Sequence, residues 1–82
     1  MPTIAMLYGY RVAIYPNDHR PAHVHVIGRG KEAVFFLNCP NGPPELRENF
    51  GVSRTDVRPL RAALLAGITA FCEKWSEIHG QA

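Results

Sequence analysis

Ala22-His23-Val24-His25-Val26-Ile27-Gly28-Arg29-Gly30-Lys31-Glu32-Ala33-Val34-Phe35-Phe36-Leu37 is the stretch on which the fold turns. Ala22 to Ile27 is rich in β-branched residues and reads as a strand. Lys31 to Leu37 is a second run of strand-forming residues. Gly28-Arg29-Gly30 supplies a short glycine turn between them, a spacing that suits an antiparallel hairpin. Alternation then sorts the side chains. His23 and His25 project to one face, and Val24 and Val26 to the other, towards a helix.

On the N-terminal side, Thr3 to Leu7 reads as a short apolar strand and Tyr8-Gly9 as a turn or bulge. Tyr10 to Tyr15 is a further strand, with Tyr10, Val12 and Ile14 on one face and Arg11, Ala13 and Tyr15 on the other. Pro16-Asn17-Asp18 is a turn, and Pro21 keeps the approach to Ala22 irregular. On the C-terminal side, Asn38 to Pro44 is dense in turn formers and ends the sheet, and Glu45 to Gly51 reads as a loop or one helical turn. Ser53-Arg54-Thr55-Asp56 resembles a capping box with Asp in the Glu position. A helix is expected from there to about His79, with Gly80 as its C′ residue. Leu60, Leu64, Ile68, Phe71, Trp75 and Ile78 recur at helical spacing as one apolar stripe. Pro59 should kink the helix in its second turn if Ser53 is the cap; otherwise the helix starts near Pro59. The resulting fold class is α+β: a small antiparallel sheet of three to four strands packed against one long C-terminal helix, in a single domain over residues 1–82.

Apolar residues make up 46% of the chain and charged residues 20%, a balance that suits a globular domain and argues against disorder. A net charge of +2 is too weak to imply nucleic-acid binding, while leaving room for a local basic patch. A chain this short buries only about 60–65% of its unfolded surface, so dimerisation or a partner would help to stabilise it. Cys39 and Cys72 are too few for a disulfide scaffold and read as reduced, with Cys72 in the core. Met1-Pro2-Thr3-Ile4 has none of the marks of a secretory leader, and Ala62 to Phe71 is too short to span a bilayer. The expectation is a cytoplasmic protein without membrane contact.

Asp18-His19-Arg20-Pro21-Ala22-His23-Val24-His25 concentrates three of the four histidines. Imidazole is the side chain most used for metal ligation and for proton transfer near neutral pH. Cβ atoms two residues apart on one strand face lie about 6–7 Å from each other, within the reach of a shared metal ion. Asp18, His19, His23 and His25 are therefore candidate metal ligands, with His79 a further one if the helix runs back past the strand. Zinc or another divalent ion would accept them. The same His19, His23 and His25 are candidate acid–base residues, and Arg20 and Arg47 candidate phosphate contacts. The bland alternative remains open: half-buried histidines bonded to carbonyls, Asp18 capping a turn, arginines on a solvated face, and Phe71 and Trp75 as core anchors. No Cys-x-x-Cys, His-Glu-x-x-His, phosphate-loop or dinucleotide pattern is present.

Tyr15-Pro16-Asn17-Asp18-His19-Arg20-Pro21-Ala22-His23-Val24-His25-Val26, with Pro2-Thr3-Ile4 and the closing Trp75-Ser76-Glu77-Ile78-His79-Gly80, resembles the bacterial domain-of-unknown-function family numbered four-one-six-zero. The family's hallmark is Asp-His-x-Pro-Pro-His-x-His-Val. Asp18, His19, Pro21, His23, His25 and Val26 match it, and Ala22 stands in place of the second proline. Asn38 to Asn49 resembles one branch of the family. The resemblance implies a two-gene setting, because members stand beside a second small domain. It thereby implies a toxin-like component of a toxin–antitoxin-type module, with a small protein partner encoded nearby or a homodimer, and RNA as a target. Two other classes stand beside it: a non-catalytic divalent-metal-binding module, and a partner-binding adaptor.

Overall fold

A computed structural model describes residues 3–80; Met1, Pro2, Gln81 and Ala82, with the Pro2 position of the opening segment, lie outside the described residues. Five antiparallel strands run in simple order: β1 (Thr3–Leu7), β2 (Tyr10–Ala13), β3 (His23–Gly28), β4 (Lys31–Phe36) and β5 (Glu45–Phe50). Two helices follow, α1 (Arg54–Ala66) and α2 (Ile68–His79). The α+β class holds, and β3 is the central strand. No helix among the described residues is long and apolar enough to cross a membrane.

Two tight turns set the register. Leu7 pairs with Tyr10 across Tyr8-Gly9, and Gly28 pairs with Lys31 across Arg29-Gly30. Both turns have positive φ at both central residues, 52° and 82° in the first and 55° and 74° in the second. That is the turn geometry that matches strand twist, and it demands a residue such as glycine at the second position. The register then places Val12, Val26 and Ala33 in one row, and Ala13, His25 and Val34 in another. Residues directly opposite share a face. The first row joins Tyr10, Ile14, Val24, Phe35 and Leu37 in the core with Leu60, Leu64, Phe71 and Trp75 of the helices.

The sheet has five strands, where the sequence suggested three to four. Glu45 to Gly51, read as loop or helical turn, contributes β5. All six of its residues are exposed, so no burial pattern marks it. Backbone pairing to β4 makes it a strand. The register shifts between Val34 and Phe35: Val34 faces Glu48, Phe35 faces Leu46, and Arg47 is the extra residue of a β-bulge.

The helical region is two helices, not one long one. Ser53 caps α1, its hydroxyl accepting the Asp56 N–H at 3.2 Å. Pro59 sits inside α1, whereas the break falls at Gly67, with φ −108° and ψ 21°. A Cβ at position 67 would lie 3.1 Å from the Phe71 ring, so glycine here lets Phe71 fold back onto the break. Ile78, counted in the apolar stripe, is 36% exposed. The stripe that is buried ends at Trp75.

The cysteines also depart from expectation. Cys39 and Cys72 form a disulfide, with Cα atoms 5.8 Å apart. A separation of 33 residues carries no recognisable motif, and only the docking of α2 beside the connection after β4 brings the pair together. Cys72 is buried in the core, as expected. The bridge removes reduced cysteines as a ground for the cytoplasmic expectation, because disulfides persist mainly in oxidising compartments.

Asp56 accepts a 2.9 Å hydrogen bond from the buried Tyr10 hydroxyl, tying the start of α1 to β2. That bond, then burial, then the charge of Asp56 raise the Tyr10 pKa above its ordinary 10.0, with Arg29 opposing. A raised phenol pKa contributes stability that is complete below pH 10 and is lost as pH rises through the folded value. The stability difference between wild type and Tyr10→Phe, from urea melts, should therefore be constant up to about pH 9 and shrink above pH 10. A difference that grows with alkali would contradict the bond. Loop-closure entropy for the crosslink is worth about 3–4 kcal/mol. Reduction, or Cys39→Ser, should lower unfolding stability by that order. Two titratable thiols in protein denatured without reductant would disprove the bridge.

Candidate functional site

His23 and His25 rise from the central strand on the face opposite Val24 and Val26, as alternation requires. The turn after Tyr15 folds Asp18 over them. Asp18 Oδ2 accepts the Tyr15 N–H at 3.0 Å, and the Asp18 N–H donates to the Tyr15 carbonyl at 3.0 Å. This β-turn, closed by both the backbone and the carboxylate of Asp18, aims the carboxylate at the strand. Asp18 Oδ2 then lies 3.2 Å from His25 Nε2 and 3.5 Å from His23 Nε2. The three residues form a group whose ligating atoms all lie within 4.8 Å of one another. His23 is buried, and Asp18 and His25 are half-buried.

The second nitrogen of each ring is also held by an oxygen acceptor. His23 Nδ1 is 2.9 Å from the Pro21 carbonyl, which can only accept, so Nδ1 carries the proton. His25 Nδ1 is 2.9 Å from Glu32 Oε2, so each nitrogen of this ring faces a carboxylate, Glu32 at Nδ1 and Asp18 at Nε2. In the neutral ring His23 Nε2 therefore presents its lone pair to a carboxylate oxygen that is itself an acceptor, and His25 Nε2 does the same in the tautomer that donates to Glu32. In that state three electron-rich atoms converge, Asp18 Oδ2 at 3.2 and 3.5 Å from the two Nε2 atoms and all three within 4.8 Å of one another, and a metal ion is an electrophile they could share. For bonds of about 2.0–2.1 Å, the edge of a tetrahedral coordination shell is roughly 3.3–3.4 Å long. The two Asp18–histidine separations fall on either side of that length. Metal-bound histidines characteristically donate their other N–H to a carboxylate or a backbone carbonyl, and both arrangements occur here.

Aromatic rings close the back of the site. His23 lies 5.3 Å from the fully buried Trp75 ring, and Trp75 stacks on His79 at 4.0 Å between centroids. Trp75 is thus a core anchor, as expected, and also the wall behind His23. Tyr15 stands edge-on to His25 at 4.9 Å. His79 does come back past the strand, but it is not among the three converging residues: its Nε2 donates to the Tyr15 carbonyl at 3.0 Å. The Tyr15–Pro16 connection is thereby held by His79 on one side and the β-turn closed by Asp18 on the other.

A cavity of about 290 Å³ opens onto this group, lined by Asn17, Asp18, His19, Arg20, Pro21, His23, His25, Phe36 and Arg47. His19 lines it without joining the converging three. The arginines of the sheet side separate. Arg20 and Arg47 reach the cavity; Arg11 bonds Thr3, and Arg29 lies over the Tyr10 ring. Glu45 and Arg47, read as turn residues, sit on β5, and Arg47 lies over the Phe36 ring at 5.4 Å.

Glu32 and the Pro21 carbonyl were not singled out from the sequence. Glu32 was within reach of it: a two-residue turn at Arg29-Gly30 sets Ile27 opposite Glu32, diagonal to His25 on the same face. The Pro21 carbonyl had no such mark.

A small antiparallel meander backed by two helices, carrying a two-histidine, one-carboxylate group on its outer face, is the class of domain defined by these features. The chain belongs to the family described as Domain of unknown function (DUF4160), which it matches over residues 9–76. No curated protein and no solved structure matches it.

Proposed function

We propose that this domain binds a divalent transition-metal ion through Asp18, His23 and His25 and uses it as an electrophilic centre. The observation that supports it most is the convergence of His23 Nε2 and His25 Nε2 on the Asp18 carboxylate, with each Nδ1 held by an oxygen acceptor outside the group. Three protein ligands leave coordination positions for water or a ligand, the arrangement of catalytic rather than structural zinc sites. Non-haem iron uses the same ligand types, so the choice of metal rests with availability as well as geometry. Bound metal would polarise a coordinated oxygen, and His19 in the cavity wall is the candidate acid–base group beside it.

The test is calorimetric titration of chelator-stripped protein with zinc, then with cobalt, nickel and iron(II). One ion per chain is expected, with binding abolished in His23→Ala/His25→Ala. Glu32→Gln should weaken it roughly ten- to a hundredfold, because the carboxylate that orients the His25 ring is lost. Wild-type protein that binds none of these ions would overturn the reading.

The toxin-type reading draws on one feature, the presence of Arg20 and Arg47 in the same cavity as the histidines. It predicts growth arrest on induced expression, relieved in His23→Ala made to the same level. Unimpaired growth with abundant folded protein would exclude it.

A further inference from the structure

Arg47 reaches the cavity because of a fault in strand pairing. Val34, on the face of His25, pairs with Glu48. Strict alternation would send the next residue, Arg47, to the opposite face. The bulge that skips Arg47 turns it back, and its guanidinium lies over Phe36, the residue paired with His23. Bulges recur beside active sites for this reason: they re-aim one side chain without displacing the strand. Arg20 arrives independently, from the irregular approach to β3, and lines the same cavity. Two elements thus deliver arginines to one opening.

Neither guanidinium is neutralised by the protein. The ion pairs among the described residues are Asp18 with His23 and His25, Glu32 with His25, and Lys74 with Glu77, so no carboxylate lies within ion-pair distance of Arg20 or Arg47. A divalent ion at the centre would be balanced by Asp18 and Glu32. The two arginines then remain as surplus positive charge at the cavity mouth. An anion with several oxygens answers both needs: one oxygen for an open metal position, the others for the planar guanidinium donors. The volume of about 290 Å³ is at the low end for ligand pockets, so the cavity takes one anionic group while the rest of the molecule extends outside.

We propose that this cavity is a phosphate-ester subsite, in which Arg20 and the bulge-directed Arg47 hold a phosphate group against the metal bound by Asp18, His23 and His25. The inference rests on the metal reading above. Phosphate fits better than carboxylate because its tetrahedral array offers oxygens in three directions at once, towards the metal and towards each arginine. Phe36 keeps Arg47 in place through its ring face, so the guanidinium is positioned before the ligand arrives.

The experiment is calorimetry on zinc-loaded wild-type protein with three probes: inorganic phosphate, a nucleoside monophosphate, and a short oligoribonucleotide lacking a terminal phosphate. Binding of phosphate that weakens roughly ten- to a hundredfold in each of Arg20→Gln and Arg47→Gln, with zinc affinity unchanged, is the expected result. The second and third probes separate a terminal phosphate monoester from a nucleic-acid phosphodiester as the source. Zinc binding without measurable binding of any phosphate probe overturns the subsite and leaves the metal centre standing. Phosphate affinity that is indifferent to both arginine substitutions also overturns it. Protein that takes up no metal removes both readings.

Discussion

Strand β3 lies in the middle of the sheet order, and its two-residue alternation is the constraint on which the core and the candidate site both depend. Val24 and Val26 are fully buried against the helices. The same backbone must then hold His23 and His25 on the reverse face. Shifting the strand by one residue would exchange the two sets, placing imidazoles in the apolar core and valines under Asp18. Hydrophobic burial on one side therefore fixes polar geometry on the other. The site draws its rigidity from that core, which it meets at Trp75.

Burying a histidine is costly unless its nitrogens are satisfied. His23 is 4% exposed, and its Nδ1 is satisfied by a carbonyl two residues earlier in the chain. His25, nearer the surface, uses Glu32 from the neighbouring strand. The two rings are thus oriented by different routes, one local and one cross-strand. Asp18 closes the group from a turn that its own carboxylate helps to form. Each of the three residues is oriented by a partner outside the group, which is the condition for a preorganised centre.

The C-terminal helix contributes to the site without supplying one of its three converging atoms. Trp75 backs His23, and His79 stacks on Trp75 while binding the Tyr15 carbonyl. The Cys39–Cys72 disulfide joins the same helix, one turn earlier, to the connection between β4 and β5. Helix, turn and sheet are consequently held together around the histidines by a covalent bridge on one side and a ring stack on the other. The bulge at Arg47 lies on the strand that this connection leads into. Placement of Arg47 and placement of Trp75 therefore share one anchor.

Local features of the sequence determined a good deal. The two-residue turns, the β3–β4 hairpin, the Ser53 cap and the shared face of His23 and His25 follow from short-range rules of backbone sterics and alternation, and all are present. Asp18 was legible as a candidate because it closes a turn only a few residues away. Glu32 is readable from hairpin register, two residues along β4 from the partner of His25. The remainder was decided by tertiary contacts. Strand β5 is exposed along its whole length and exists only because β4 offers a hydrogen-bonding edge. The disulfide depends on the docking of two segments 33 residues apart. The break at Gly67, rather than Pro59, reflects the room Phe71 needs over the helix junction. Arg47 reaches the cavity through a pairing shift that composition cannot encode. Sequence pattern acts over one turn or one strand, where sterics dominate. Which segments meet, and which side chain an irregularity redirects, depends on packing among all of them at once.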